Sequence, residues 1–458
     1  MQLYTTIMIR YTRIFITILL AFIAFGASAQ STATTSSPYS QYGLGDYYPS
    51  LLPQNIAMGG IATAINKLNL YNNINPENPA SYAAINFTTI DAGIYNNIQN
   101  LSQYNAEGQK ISVSNSNFRF SHLAFAIPVS KRSALSFGLL PYTQMGYNYK
   151  QTFIRNGQPS NAASVDTTVN GIYSGDGGLS KAYLGYGFAI GHLYIGGNAS
   201  YIFGNLQQFS TIELPDLYGT LNSQVEQNNA VGGVNYDYGA QYSFDFGEYK
   251  TKHLVLGYSA SANSKINSTN TYIVSQYSLG TNGVANTAAD SLVNIQSAKT
   301  KIQLPQINHF GISFQNDGHF LIGADYTMGH WSSLAIGGVN QGFQDSKTIN
   351  VGGQFTPNIN SLHNYFARSD YRLGFMYDQS YLNLYNTNIT SYAVTFGAGF
   401  PLAPNSANST FYKVNFAAEI GQRGTLNTVA NPLVKENYVT IHLSFTLNDK
   451  WFQKYKFE

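Results

Sequence analysis

The chain has no cysteine, and only 10% of its 458 residues are Asp, Glu, Lys or Arg. The absence of thiols excludes disulfide bonds, thiolate metal sites and a cysteine nucleophile. Soluble domains carry about 25% charged residues, so the scarcity of charge argues against an ordinary soluble protein. Tyr (36), Phe (28) and Gly (42) are abundant instead, and the mean hydropathy is only -0.16. This combination is typical of strands that present alternate residues to lipid.

The N-terminus has the pattern of a cleaved signal peptide. Arg10 and Arg13 precede an apolar run over residues 14–25, and Ala27–Ala29 has the small-x-small pattern of a cleavage site. The run is shorter than the roughly 20 residues of a membrane helix. We therefore predict that residues 1–29 are removed and that the mature chain begins at Gln30. Removal of two arginines and no acids leaves 22 basic and 22 acidic residues. This balance argues against a nucleic-acid partner, which needs a concentrated basic face.

Strict alternation of apolar and polar residues predicts strands along the rest of the chain. In residues 438–447 every second residue from Val439 to Leu447 is apolar, and residues 234–246 and 254–262 show the same period. A soluble sandwich also alternates, so the period alone does not decide the architecture. No later stretch is long enough for a membrane helix. If the mature chain crosses a membrane, it must do so as a closed barrel, because only helices and closed barrels pair every backbone group in hydrocarbon.

The connections between the candidate strands favour the barrel. Short turns near residues 128–132, 191–192, 247–252 and 316–318 are separated by long polar stretches at 96–117, 150–179, 207–231 and 268–307. Outer-membrane barrels have short periplasmic turns and long outer loops. We therefore predict an all-β fold, a transmembrane antiparallel β-barrel of about 14 strands over residues 88–447. Residues 448–458 are predicted to form a C-terminal periplasmic tail, with a frayed end as the alternative.

Residues 30–87 do not have the strand pattern. They contain the runs Ala57-Met58-Gly59-Gly60 and Asn78-Pro79-Ala80, and Gly and Pro recur throughout. Frequent Gly and Pro residues favour tight turns. The apolar residues of this stretch have no core of their own. We therefore expect the stretch to pack inside the barrel lumen as a hatch.

These two runs, followed by a long train of strands, resemble the FadL-type outer-membrane transporters of hydrophobic compounds. The resemblance implies a hatch inside a fourteen-stranded barrel. It also implies that outer loops capture ligand, which passes to a lumen pocket and leaves sideways into the membrane. Transferred to this sequence, the hatch motif comprises Met58, Gly59, Gly60, Asn78, Pro79 and Ala80. A structural turn that only fixes the segment is the alternative role for these residues.

The resemblance also suggests an exit and a capture surface. The family's lateral exit lies where the third strand kinks, and the third candidate strand here contains Pro141. Proline cannot donate to the ladder, so Pro141 predicts a gap in the wall, unless the strand simply ends earlier. The capture loops would include six apolar residues set among many Asn, Gln and Ser, which are Leu214, Leu217, Tyr218, Tyr272, Ile273 and Tyr277.

The sequence carries no catalytic or metal-binding signature. The G-x-S-x-G, P-loop and H-E-x-x-H motifs are absent, and the spacing of the eight histidines matches no metal-ligand pattern. We therefore expect neither an enzyme nor a cofactor or metal. The predicted function is uptake of small hydrophobic molecules, such as long-chain fatty acids, through the outer membrane of a Gram-negative cell. The predicted partners are membrane lipid and the hydrophobic compound. The alternative is a non-transporting barrel that serves a secretion or assembly machine.

Overall fold

In a computed structural model the described residues are 37–68, 71–105, 107–155, 167–217, 219–280, 286, 290–402, 411–427 and 433–449. The predicted signal peptide and residues 450–458 of the predicted tail lie outside these ranges. Tyr218 also lies outside them. None of the helices in these ranges is long and apolar enough to cross a membrane.

Fourteen antiparallel strands form a closed barrel, which confirms the predicted fold class. They are β1 (Thr88–Tyr104), β2 (Lys110–Ser130), β3 (Ser133–Arg155), β4 (Thr167–Ile190), β5 (Leu193–Glu213), β6 (Leu221–Phe246), β7 (Lys252–Ser261, then Lys265–Ser278), β8 (Thr300–Gln303, then Ile307–Asn316), β9 (Phe320–Gly329), β10 (Ser346–Phe355), β11 (Asp370–Leu384), β12 (Thr387–Pro401), β13 (Phe411–Arg423) and β14 (Lys435–Asp449). The barrel closes because β14 pairs with β1, from Lys435 opposite Ser102 to Asp449 opposite Thr88.

The remaining elements are short. The residues before β1 contain a 3-10 turn at Pro38–Gln41, strands at Asp46–Tyr47, Lys67–Leu68 and Tyr71–Asn72, a one-turn α-helix at Pro53–Ile56, and a 3-10 helix at Pro79–Ala84. Between wall strands lie strands Asp290–Gln296, Ala335–Ile336 and Val339–Asn340, with 3-10 turns at Trp331–Ser333 and Phe366–Arg368.

The alternating pattern of each strand separates a lipid face from a lumen face. On β12 the outward Tyr392, Val394 and Phe396 are 43–49% exposed, whereas the inward Thr395 is 1% exposed. A one-residue step reverses the environment because successive side chains in a strand point to opposite faces. The outward apolar residues therefore form the membrane-facing band.

Several strands are longer than a membrane requires. β3, β4 and β6 have 23, 24 and 26 residues, whereas a transmembrane strand needs about 9–11. The sequence prediction that 96–117, 150–179, 207–231 and 268–307 are mostly loops was wrong, because strands β1 to β8 extend through much of them. Above the membrane both faces of the sheet meet water, so hydrophobic alternation disappears while the backbone ladder continues.

The wall is interrupted at one place in the described ladders, between β2 and β3. Their pairing starts near Ser130–Ser133 and ends at Leu123–Leu139, whereas β3 pairs with β4 from Ser133 to Arg155. Pro141 lies just past the last β2–β3 pair, and the β3–β4 register shifts between Pro141 and Thr143. We call the interrupted part of the wall, above Leu123 and Leu139, the β2–β3 gap.

We expect Phe396→Arg to destabilise the barrel, because Phe396 lies near the middle of the outward apolar residues of β12. An arginine at the bilayer midplane of a barrel costs about 2–4 kcal/mol. The matched control is Asn437→Arg, at an exposed position near the outer end of β14, which we expect to change stability little. Denaturant unfolding in lipid vesicles measures both variants, and equal stabilities would contradict the assigned membrane band.

Candidate functional site

Residues 37–87, which we call the N-terminal segment, pack against inward-facing side chains of the barrel. The Asp325 carboxylate on β9 accepts hydrogen bonds from the backbone N–H groups of Ala62 and Thr63, both at 2.7 Å. Ser313 on β8 donates to the Ala64 carbonyl at 2.7 Å. These bonds satisfy backbone groups of an irregular segment that has no ladder of its own.

The first predicted hatch motif lies against β10, β11 and β12. Met58 is fully buried, and the Gly59 N–H donates to Thr395 Oγ1 at 2.8 Å. Gly59 has φ +72°, a conformation that favours glycine, and a Cβ there would lie 2.6 Å from the Val351 carbonyl oxygen. The backbone therefore approaches the wall too closely for any other side chain at this position.

The second predicted motif links the segment to itself and to the wall. The Asn78 side chain caps the helix Pro79–Ala84 by accepting from the Ala80 N–H at 3.1 Å. Its amide donates to the Thr63 carbonyl at 2.6 Å and to the Tyr258 carbonyl on β7 at 3.3 Å. These bonds are those of a structural turn. The role of both motifs in a hatch stays a prediction.

The start of the segment lies along the edge of β3 at the β2–β3 gap. The Ser37 N–H donates to the Gly146 carbonyl at 2.9 Å and the Tyr48 N–H to the Tyr142 carbonyl at 3.0 Å. Between them, the strand Asp46–Tyr47 pairs with Thr143 and Gln144. The segment therefore occupies the β3 edge that β2 leaves.

Ion pairs link the segment to inward-facing residues of the wall. Asp46 accepts from Arg423 Nη1 on β13 at 2.8 Å. Glu77 lies 3.0 Å from His309 Nε2 and accepts from the Ser50 N–H at 2.9 Å. Burial acts to raise the pKa of Glu77. The charge and hydrogen bond of His309, the charge of Lys181 and the Ser50 N–H together outweigh burial, so the pKa of Glu77 lies below its usual value.

A cavity of about 350 Å³ remains between the segment and the wall, and it reaches Pro141. Its lining includes six carboxylates, which are Asp46, Glu77, Asp325, Asp378, Glu419 and Glu436. Arg423, His309 and His442 are its basic residues, and Tyr47, Tyr48, Tyr95, Trp331 and Tyr381 supply aromatic surface. Arg423 and His309 already pair with Asp46 and Glu77, so neither is free to bind the carboxylate of a fatty acid.

Sequence reasoning missed most of these charges. Glu419 and Arg423 lie on inward positions of β13, and Asp378 lies on β11. The rarity of charge in this chain could have indicated their position. A charged residue within a membrane strand must avoid the lipid face, so it must point into the lumen.

The parts of β1 to β8 that continue beyond the membrane band form what we call the outer extension of the sheet. The predicted capture residues lie on this outer extension. Tyr272, Ile273 and Tyr277 belong to β7, and Leu214 and Leu217 lie in the turn after β5. Tyr277 is buried and donates to Glu213 at 2.6 Å, whereas Leu217 is 44% exposed. The structure therefore brings the two groups together as strand and turn rather than as two loops. Their role in ligand capture stays a prediction.

No group of three or more potential ligands that could hold a metal occurs within the described ranges. The paired histidines instead contact single carboxylates or pairs of them, such as His253 between Asp245 and Asp317 at 2.7 and 3.2 Å.

Comparison with known families adds an identification. The BamG family profile matches residues 8–458. The chain belongs to the BamG family. No protein of curated function matches its sequence.

Solved structures of similar fold are FadL-type outer-membrane barrels. The P. putida toluene transporter TodX is 13% identical, with a TM-score of 0.54 over 90% of this chain and 100% of that chain. The Ralstonia pickettii toluene transporter TbuX is 14% identical, with a TM-score of 0.53 over 88% and 99%. A Pseudomonas aeruginosa FadL homologue is 14% identical, with a TM-score of 0.50 over 89% and 99%. The FadL-type resemblance is thus confirmed for the fold, which this BamG-family chain shares.

We expect Asp325→Asn to loosen the N-terminal segment, because two backbone N–H groups lose a charged acceptor. Hydrogen bonds to charged groups contribute about 1.5–3 kcal/mol, so exchange of the Ala62 and Thr63 amides should accelerate roughly ten- to a hundredfold. Hydrogen exchange read by mass spectrometry measures this. The control Asp345→Asn removes a half-exposed carboxylate beside His330 and should leave those two amides unchanged. Unaltered protection in Asp325→Asn would show that the contact does not hold the segment.

Proposed function

We propose that this protein is a structural subunit of an outer-membrane assembly machine in a Gram-negative cell, with its N-terminal segment acting as a hatch that keeps the lumen closed. The BamG family is BAM-associated, BAM being the β-barrel assembly machine. A FadL-type fold is compatible with this role because a fold alone does not determine function.

The observation that carries the proposal is the set of contacts between the N-terminal segment and inward-facing side chains of the wall. The N-terminal segment is tied to the wall by Asp325, Thr395 and Arg423, which lie on three different strands. The cavity left over has a volume of about 350 Å³, and six carboxylates lie among the aromatic and aliphatic residues of its lining. A route for apolar compounds needs a continuous apolar surface, and the carboxylates interrupt the apolar part of this lining.

The outer extension supports the same proposal. β5 and β6 pair up to Ile212–Ser223, and β6 continues with β7 up to Leu221–Ser278. This gives a regular sheet above the membrane band, with the apolar Leu217 and Tyr272 exposed on it. An ordered surface with scattered apolar side chains suits contact with proteins.

The proposal predicts that depletion of the protein lowers the amounts of other outer-membrane barrels before it changes membrane permeability to hydrophobic compounds. Quantitative proteomics of isolated outer membranes, with periplasmic proteins as the internal reference, measures the first effect. Complementation with the wild-type chain is the control. Normal barrel levels after complete depletion would contradict the assembly role.

A second candidate function is passage of small hydrophobic molecules, with capture on the outer extension and exit through the β2–β3 gap. The interruption of the wall beside Pro141 favours it, because the lumen cavity reaches this position. The carboxylate lining favours neutral compounds over long-chain fatty acids in this case.

Uptake of labelled toluene and labelled oleate by cells with and without the protein tests the second candidate. Passage through the gap predicts uptake of toluene above oleate. It also predicts a loss of uptake when a cysteine pair closes the β2–β3 gap. Equal uptake with and without the protein would exclude this candidate for both compounds.

A further inference from the structure

We propose that the lumen cavity binds a small organic cation, an ammonium group attached to an aromatic or short apolar group, on the wall formed by β13, β14 and β1. The inference goes beyond the proposed assembly role and does not rest on it. The site, which we call the Glu419 site, consists of five residues that line the cavity, namely Glu419, Asn97, Gln99, Thr440 and His442.

The strand pairing places these side chains next to one another. Glu419 on β13 pairs with Thr440 on β14, and Thr440 pairs with Asn97 on β1. Paired strands lie about 4.8 Å apart, so Glu419 and Asn97 are about 10 Å apart across the wall. Gln99 and His442 lie two residues from Asn97 and Thr440 and therefore share the lumen face. A small ligand above Thr440 is within reach of the side chains on both sides.

Glu419 has one carboxylate oxygen available to a ligand. The residue is half-buried, and its Oε1 accepts a hydrogen bond from the Tyr438 hydroxyl at 2.7 Å. Among the residues that the structure describes, none donates to Oε2 or forms an ion pair with Glu419. A carboxylate in a protein interior is normally paired with a cation. A positively charged donor is therefore the group that completes this site.

The neighbouring polar atoms also lack donors. Asn97 Oδ1, Gln99 Oε1 and His442 Nδ1 have no hydrogen-bond partner in the described part of the chain. Gln99 and His442 are only 6% and 7% exposed, and buried polar atoms without a partner are rare in proteins. The two amide oxygens can only accept hydrogen bonds, whereas an ammonium group offers three donors and no acceptor. This observation is independent of the charge of Glu419 and indicates the same kind of ligand.

The charge of the whole cavity favours a cation. Its two ion pairs, Arg423–Asp46 and Glu77–His309, are closed within themselves. Arg119 on β2 lies outside the lining. The other carboxylates of the lining accept hydrogen bonds from hydroxyl or backbone N–H groups alone, within the described ranges. They are Asp325, Asp378, Glu419 and Glu436.

An aromatic surface lies beside the Glu419 site. The Tyr95 ring on β1 is stacked on the His442 ring, with centroids 5.4 Å apart, and the Tyr48 ring lies 6.3 Å from that of Tyr95. Both tyrosines line the cavity, whose volume is about 350 Å³. This volume is at the lower end of ligand pockets, which have about 300–1,000 Å³. The ligand is therefore small, with an apolar group next to its ammonium group.

Isothermal titration calorimetry of the purified full chain tests the inference with three ligands of similar shape. Benzylammonium, benzyl alcohol and benzoate share one ring and carry a positive charge, no charge and a negative charge. We expect benzylammonium to bind at least about tenfold more tightly than benzyl alcohol, because hydrogen bonds to a charged group are the stronger ones. We expect no binding of benzoate. Equal affinities for benzylammonium and benzyl alcohol would overturn the inference.

Two variants locate the site. Glu419→Gln keeps the shape of the side chain and removes its charge, so the affinity for benzylammonium should fall about ten- to a hundredfold, while that for benzyl alcohol stays unchanged. The matched control is Glu213→Gln. Glu213 also accepts from a tyrosine hydroxyl, that of Tyr277 at 2.6 Å, but it lies on the outer extension and not in the cavity. Unchanged affinity in Glu419→Gln, or an equal loss in both variants, would contradict the assigned site.

Two further measurements keep the result decisive. Heat-modifiable migration on gels verifies that each variant is folded. Benzylammonium should also raise the unfolding temperature of the unmodified chain more than benzyl alcohol does, because a ligand stabilises the state that binds it. Methylammonium, which lacks the ring, should bind more weakly than benzylammonium. If it binds as tightly, the aromatic surface takes no part and the assigned ligand class is wrong.

Discussion

The structure depends on one constraint, which is that hydrocarbon offers no hydrogen-bond partner to a peptide group. A strand in the membrane must therefore have a neighbour on each side, and the only end to such a series is closure on itself. The pairing of β14 with β1 supplies that closure. The same constraint gives the β2–β3 gap its importance. The N-terminal segment pairs with β3 there, through Asp46–Tyr47 and Ser37.

Several of the few charges of the chain lie in pairs in the interior of the barrel. Lys181 pairs with Asp237 at 2.7 Å and Arg372 with Asp370 at 3.1 Å, all of them buried on lumen-facing positions. Arg423 reaches across to Asp46 in the segment. A charge on the outward face of the membrane band would meet lipid, so charges on strands at that level face the lumen. The Arg423–Asp46 pair stabilises the contact between the segment and the wall, and six carboxylates interrupt the apolar lining of the remaining cavity.

Many of the wall strands could be predicted from the sequence, because apolar and polar residues alternate with a period of two in membrane strands. The alternation from Val439 to Leu447 matches β14, and the fourteen-stranded architecture follows from such segments and their short turns. The outer halves of the strands were missed because Asn, Gln and Ser on both faces erase that period without stopping the ladder. The lumen contacts were also beyond prediction. Asp46 and Arg423 are 377 residues apart in sequence, and nothing local marks such a pair.

The place of the N-terminal segment has a consequence for how the chain reaches its final form. The segment is the first described part of the chain, yet its partners include Thr395, Arg423 and Glu436 near the other end. Contacts so distant in sequence form slowly, since a very large loop must first be closed. With the proposed hatch in place, the leading end must lie within the curved sheet before β14 pairs with β1. The proposal therefore makes enclosure of the segment the last step in folding.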